Sequence, residues 1–246
     1  MTKILLYSGG TDSWLIDKIW RPDIKLYVNT HGMYAKEEIE MLPSDVKIFD
    51  FPFLGDIEEH DTAYVPMRNL YFLMIASNFG DPEGAHLCYG ATGADAGSHD
   101  KDRKFIDMTQ ELFDYMLIGN SFTKDRNVII EKQFINDGKY SLVKKYLDLG
   151  GDIETFVEQT FTCHHPVNGK PCMSCKLCAK KFLLAYYYGY RYNDETKDKM
   201  IAYMRNKMLP RGVERGTYFS ERPLDGAYAL KAVHKLFEEK GLKYEY

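Results

Sequence analysis

Two groups of residues in this chain have the types and spacing that chemistry requires. The first is Ser8-Gly9-Gly10-Thr11-Asp12-Ser13, which directly follows the apolar run Lys3 to Tyr7 and leads into a helical pattern from Trp14. Glycines let backbone N–H groups turn towards one point, and a helix N-terminus adds partial positive charge, so a loop of this kind at a strand end suits a phosphate. No Lys stands beside its Ser or Thr, which separates it from the usual kinase-type phosphate loop. The plainer alternative is a strand-to-helix turn with Asp12 as the N-terminal cap. The complete six-residue string favours the phosphate. The second group is Cys163, Cys172, Cys175 and Cys178. Four thiolates so closely spaced supply the donor number of a closed tetrahedral zinc site; an iron–sulfur cluster is the other occupant such a set holds. With four positions filled none is open for catalysis, so zinc there is expected to be structural and to fold its own loop. His164 and His165 are expected to face solvent or substrate rather than to act as ligands.

The elements that must position these groups follow from periodicity. Lys3 to Tyr7, Ile24 to Val28, Val46 to Phe51 and His86 to Tyr89 read as short buried strands, with Val128 to Ile130 as a last one. Helical patterns begin at Trp14, close at Glu37 to Met41, and run over Pro66 to Phe79 and Phe105 to Leu117. Such alternation predicts an α/β fold: an open, Rossmann-like, mostly parallel sheet with helices on both faces. The second half changes character, with helices expected over Leu142 to Leu149, Cys175 to Tyr188, Asp194 to Met208 and Leu224 to Glu239, the last two separated by the turn-rich Pro210 to Pro223. The expected division is a sheet domain over 1–150 and a four-cysteine, helical subdomain over 151–246 packed on it.

Composition narrows the partners. The chain has 246 residues, 45% hydrophobic and 28% charged, which fits a folded core and not a disordered or fibrous chain. With 32 basic against 36 acidic residues the net charge is -4, a poor footprint for stable nucleic-acid binding. No apolar run approaches a membrane span, and Met1 to Ser8 holds too short an apolar stretch for a secretory signal, so a cytoplasmic protein is expected. The lone Cys88 falls within a strand pattern and reads as a small buried apolar residue rather than a catalytic thiol. Tyr186 to Tyr188 read as core or dimer contact, and Lys235 with Glu238 to Lys240 as a wet helix face.

The phosphate loop resembles that of the ATP pyrophosphatases, which cleave ATP between its α and β phosphates. Taken with the cysteines, the chain is similar to the 7-cyano-7-deazaguanine synthase family. That family carries T-x-S-C ahead of C-x2-C-x2-C, here Thr160-Phe161-Thr162-Cys163 and then Cys172, Cys175 and Cys178. Its V-P-x-R-N-x-x-F-L segment stands intact from Val65 through Arg68 and Asn69 to Leu73, its G-x4-D element matches Gly90 and Asp95, and the Arg of its D-C-R segment falls on Arg103. The chain departs from the family at His31-Gly32-Met33-Tyr34, where the pattern is Y-G-Q-R, at Gly97 to Arg103, where it is S-G-Y-P-D-C-R, and at Lys181, where it is Arg. The C-terminal stretch has no counterpart in the resemblance.

The resemblance implies an adenine nucleotide alpha hydrolase-like fold and a ligase that forms C–N bonds, converting 7-carboxy-7-deazaguanine and ammonia to the nitrile preQ0 with ATP. It implies that Ser8 to Ser13 hold the pyrophosphate, that Asp12 helps to hold Mg2+, and that Arg68 neutralises the substrate carboxylate or the α phosphate. It places Asn69, Gly90 and Asp95 against the deazaguanine, makes Arg103 a second anion contact, assigns one structural Zn2+ to the cysteines, and implies a homodimer. Three alternatives stay open at this point. They are a relative that stops at the amide or joins another amine, a non-catalytic zinc-ribbon module for nucleic acid, and a tRNA-thiolating enzyme that would need Cys88 as nucleophile.

Overall fold

The computed structural model describes residues 1–60, 64–93, 99–163, 165–167, 170–208 and 223–243, with the side chains of 223 and 224 outside that description. Five strands form one parallel sheet in the order β3-β2-β1-β4-β5: β1 Thr2–Leu6, β2 Ile24–Asn29, β3 Val46–Asp50, β4 Gly84–Cys88 and β5 Asn127–Ile130. The centre is in register at Ile4 against Ile24 on one side and against Leu87 on the other. Parallel strands buried on both faces need unbroken apolar runs, and Ile4, Leu5, Leu26, Ala85 and Leu87 are all 0–1% exposed. β3 is an edge strand, exposed from Lys47 onwards, and the charges of Lys47 and Asp50 blunt that edge.

Helices cover both faces, as expected from the sequence. The connections α1 (Thr11–Trp20) and α2 (Ala35–Glu40) step outward from β1 to β3, whereas α4 (Arg68–Ala76) steps back across the sheet to β4. Right-handed crossovers running in opposite directions place these helices on opposite faces. On the α4 side Leu73 and Ala76 pack with Ile4, Leu26 and Leu87, and α5 (Arg103–Met116) extends that core with Ile106 and Phe113 over Val128 and Ile130. A further short helix, α3 (Phe53–Asp56), follows β3 and has no signal in the sequence pattern.

The chain divides into two compact units, Met1–Asp137 and Gly138–Tyr246. The helix α6 (Lys139–Asp148), which the sequence pattern groups with the sheet, therefore falls in the second unit. That unit continues with α7 (Ile153–Gln159), α8 (Lys176–Tyr187), α9 (Asp194–Tyr203), which runs on into a π-helical turn at Met204–Met208, and α10 (Pro223–Glu239). Its core holds Phe156, Phe182, Met200, Val233 and Phe237. Among the described residues no helix is long and apolar enough to cross a membrane.

One glycine fixes the sheet's last pairing. Gly84 has φ 148°, and a Cβ there would run into the backbone of Asn127, its partner on β5. Gly84→Ala should cost roughly 2–4 kcal/mol, from overpacking and positive-φ strain together. Both tryptophans, Trp14 and Trp20, lie in the first unit and are buried, so their fluorescence in urea reads this loss directly.

Candidate functional site

In a 3-2-1-4-5 parallel sheet the chain reverses its direction of winding between β1 and β4, and ligands bind outside the carboxyl ends of the strands at that point. The Ser8 to Ser13 loop lies there. Gly9 has φ 72°, the left-handed conformation that glycine adopts without penalty, and it turns the chain from β1 into α1. The N-cap of α1 is Gly10, not Asp12, and no side chain caps it. A helix start without a side-chain cap suits an anion. The loop's own hydroxyls engage the chain only weakly: the Ser8 amide donates to Ser13 Oγ at 3.3 Å and the Gly10 amide to Ser8 Oγ at 3.4 Å. Bonds of that length give way readily to a phosphate oxygen.

At the loop opens a cleft of about 280 Å³, at the lower end of the size range of small-molecule sites. Ser8, Asp12 and Ser13 line it together with Arg68, Asn69 and Gly90. Arg68 arrives there because Met67, at φ 56°, breaks the approach to α4 and leaves Arg68 as the helix's first residue. Asn69 is buried, and its Nδ2 donates to the Asp100 carboxylate at 2.6 Å, so it also holds the 3₁₀ turn His99–Lys101 in place. That turn contributes Lys101 to the cleft. Arg103, by contrast, is an exposed first residue of α5 and is not among the residues lining the cleft. Asp95 lies outside the described residues, as do Gly97 and Ser98 of the altered stretch.

The structure adds residues that motif reading misses. Tyr27 on β2 donates its hydroxyl to Glu38 Oε2 on α2 at 2.7 Å, and both line the cleft. Burial raises the Glu38 carboxyl above the usual carboxylate range; the Tyr27 hydrogen bond and the nearby Arg68 charge act in the opposite sense. His31, at the departure from Y-G-Q-R, has φ 55° and sets Nε2 2.9 Å from Asp50 Oδ1. With Asn29 also donating to Asp50 at 2.6 Å, the Asp50 carboxyl is held below the ordinary range. Cys88 is 3% exposed, and burial pushes its thiol up to about 12, far from the thiolate a sulfur-transfer nucleophile needs.

The second unit carries the cysteines. The Sγ atoms of Cys163, Cys172, Cys175 and Cys178 all lie within 4.8 Å of one another, and Cys172 and Cys178 are 3.9 Å apart. A tetrahedral ion with bonds of about 2.3 Å needs sulfurs roughly 3.8 Å apart, so the donor set fits. Backbone amides already point at the sulfurs: Cys172 N and His165 N at Cys163, and Cys178 N at Cys175, which is the N-cap of α8. Such N–H···S bonds stabilise thiolate charge, and Met173, within the cluster, turns the chain at φ 50°. Lys181, the departure from Arg, is largely buried and donates Nζ to the carbonyls of Val157 and Thr160, tying α8 to the chain just ahead of Cys163. His164 lies outside the described residues. Tyr186 is buried and bonded to Glu239, while Tyr187 and Tyr188 pack on Tyr140, so this run belongs to the unit's interior.

Comparison with known proteins agrees with this arrangement. Curated relatives include the 7-cyano-7-deazaguanine synthase of Leptospira biflexa serovar Patoc, 34% identical over 137 residues that make up 53% of each chain. Others with that name come from a Sulfurovum species, 28% identical over 144 residues (56% of this chain, 60% of the relative), and from Campylobacter fetus, 27% identical over 140 (55% and 58%). The chain thus spans about half the length of the curated relatives it matches. No solved structure matches it. The family model for queuosine biosynthesis protein QueC matches residues 47–183, which hold Arg68, Gly90 and all four clustered cysteines but not the phosphate loop. That span is more than half of the sequence, and the chain belongs to the QueC family.

Proposed function

We propose that the protein converts 7-carboxy-7-deazaguanine and ammonia to 7-cyano-7-deazaguanine with ATP, which leaves as AMP and pyrophosphate. The observation that carries this reading is the cleft itself. It sets the glycine loop at the start of α1, the carboxylates of Asp12 and Glu38 and the Arg68 guanidinium around one space at the sheet's switch point. A carboxylate is a poor acylating agent until one oxygen is joined to a good leaving group. In the first half, a substrate carboxylate oxygen bonds to the α phosphorus and the bond to the pyrophosphate oxygen breaks. Ammonia then adds to the acyl carbon, AMP leaves, and a proton is released with the amide. In the second half the amide oxygen takes another adenylyl group with loss of pyrophosphate, and elimination of AMP and a proton leaves the nitrile.

No protein nucleophile is needed, so the chain's task is positioning and charge. The amides of Ser8 to Ser13 receive the departing pyrophosphate. Arg68 grips the substrate carboxylate or the α phosphate, with two parallel N–H donors suited to either. Asp12 offers hard carboxylate oxygens in the cleft, where Mg2+ would shield phosphate charge. Asn69 holds the turn that carries Lys101, and Gly90, at φ 73°, lets backbone approach the substrate without a side chain. Asp95 and Arg103 follow in the resemblance as further substrate contacts. The cysteines hold a structural Zn2+, and a homodimer is the assembly the family resemblance suggests.

Mass spectrometry after incubation with ATP, ammonia and the acid tests this reading. The expected product is the nitrile, with two pyrophosphates released for each one formed. Accumulated amide with a single pyrophosphate would favour the relative that stops halfway. ATP left intact with the acid and ammonia supplied would overturn the proposal.

A further inference from the structure

Glu38 is a carboxylate that lines a cleft read as a polyphosphate site. Unit charges a few ångströms apart repel by about 1–4 kcal/mol near a protein surface, so an acid there is a liability unless what lies against it donates hydrogen bonds. Its placement says which part of a nucleotide does so. The phosphate loop follows β1, whereas the Tyr27 that orients Glu38 lies on the next strand, β2, and donates to Oε2 at 2.7 Å. That leaves Oε1 and the second lone pair of Oε2 to accept from a ligand. The cleft extends from the loop over β2, where Leu26, Tyr27, Val28 and Thr30 line it, so a nucleotide with its phosphates at the loop has room for its sugar beside Glu38. In dinucleotide-binding parallel sheets a carboxylate about 20 residues past the glycine loop hydrogen-bonds the ribose, which is the precedent for an acid in this part of a cleft.

We infer that Glu38, oriented by the Tyr27 hydroxyl, accepts hydrogen bonds from the ribose hydroxyls of the nucleotide and makes the site select ribonucleotides. This rests on the nucleotide binding proposed above. The Arg68 charge works in the same direction by favouring the ionised carboxylate, the better acceptor.

The test is equilibrium binding of ATP and of 2′,3′-dideoxy-ATP by calorimetry, without the acid, to the wild-type chain, Glu38→Gln and Tyr27→Phe. Hydrogen bonds to a charged acceptor predict that the wild type prefers ATP by at least about tenfold. Glu38→Gln should shrink that preference to about twofold, by weakening ATP while leaving the dideoxy nucleotide nearly unchanged. Tyr27→Phe, which keeps the carboxylate but frees it to turn, should fall between. Tryptophan fluorescence confirms that each variant is folded. A wild type that binds both nucleotides equally, or a preference that survives both substitutions, overturns this inference and leaves the adenylation reading standing. A wild type that binds neither nucleotide removes both.

Discussion

Replacing Arg68 with Met should lower kcat/KM for acid-dependent pyrophosphate release by about 10²–10³-fold, the usual cost of deleting one preorganised electrostatic donor. The guanidinium lies in the cleft with Asp12, Glu38 and the loop serines, where charge that develops on phosphorus is poorly screened by water. Arg68→Lys keeps the charge but not the fork of two parallel donors, and should recover only part of the loss. A pH profile separates this role from a structural one. Arg68 favours the ionised form of Glu38, whose carboxyl burial already raises. Without the cation that carboxyl rises further, so less of it is ionised at a given pH. The acid limb of nucleotide binding in Arg68→Met should therefore move to higher pH. An unchanged rate and an unmoved limb would exclude Arg68 from the site.

What the sequence makes legible, and what it conceals, divides by the range of the signal. The phosphate loop and the cysteines are each written in consecutive or nearly consecutive residues, and the parallel sheet shows because its strands are short apolar runs between helical patterns. The cap of α1 misleads locally: Asp12 looks like a cap by type, yet Gly10 takes that place and makes no side-chain cap hydrogen bond. The short α7 is hard to see because its seven residues show too little apolar periodicity, although Asp152 announces its start by accepting the Thr155 amide at 2.7 Å. Glu38 and Tyr27 cannot be paired from spacing. They are joined by a strand running to the cleft and a helix returning from it, and only the strand order brings them beside Arg68. The same holds for Lys101, which lines the cleft although no motif names it. The 3₁₀ turn ends at Lys101, while Arg103, two residues on, opens α5 and lies exposed.

Stripping the metal should have the largest effect on the fold. Between Cys163 and Cys178 no described residue is buried, and the regular structure among the described residues ahead of α8 is a single bridge between Val167 and Lys170. Such a segment has no apolar core to offset the entropy of ordering it, and a metal held by the four thiolates would do so; structural zinc sites contribute on the order of 10 kcal/mol. Cys175→Ser should lower bound zinc from one equivalent towards zero, because it removes a ligand and also the sulfur that caps α8 by accepting the Cys178 amide. A chelator in excess should do the same more slowly to the wild type. The loss should be read in the second unit first. Far-ultraviolet dichroism should show helix melting at lower temperature, while the fluorescence of Trp14 and Trp20 reports the sheet unit separately. Zinc content, measured beside the melting curve, decides between the two outcomes. A folded chain with no metal, whose melting ignores both chelator and Cys175→Ser, would mean that the cluster is a set of free thiols and that the second unit holds itself together by its aromatic core alone.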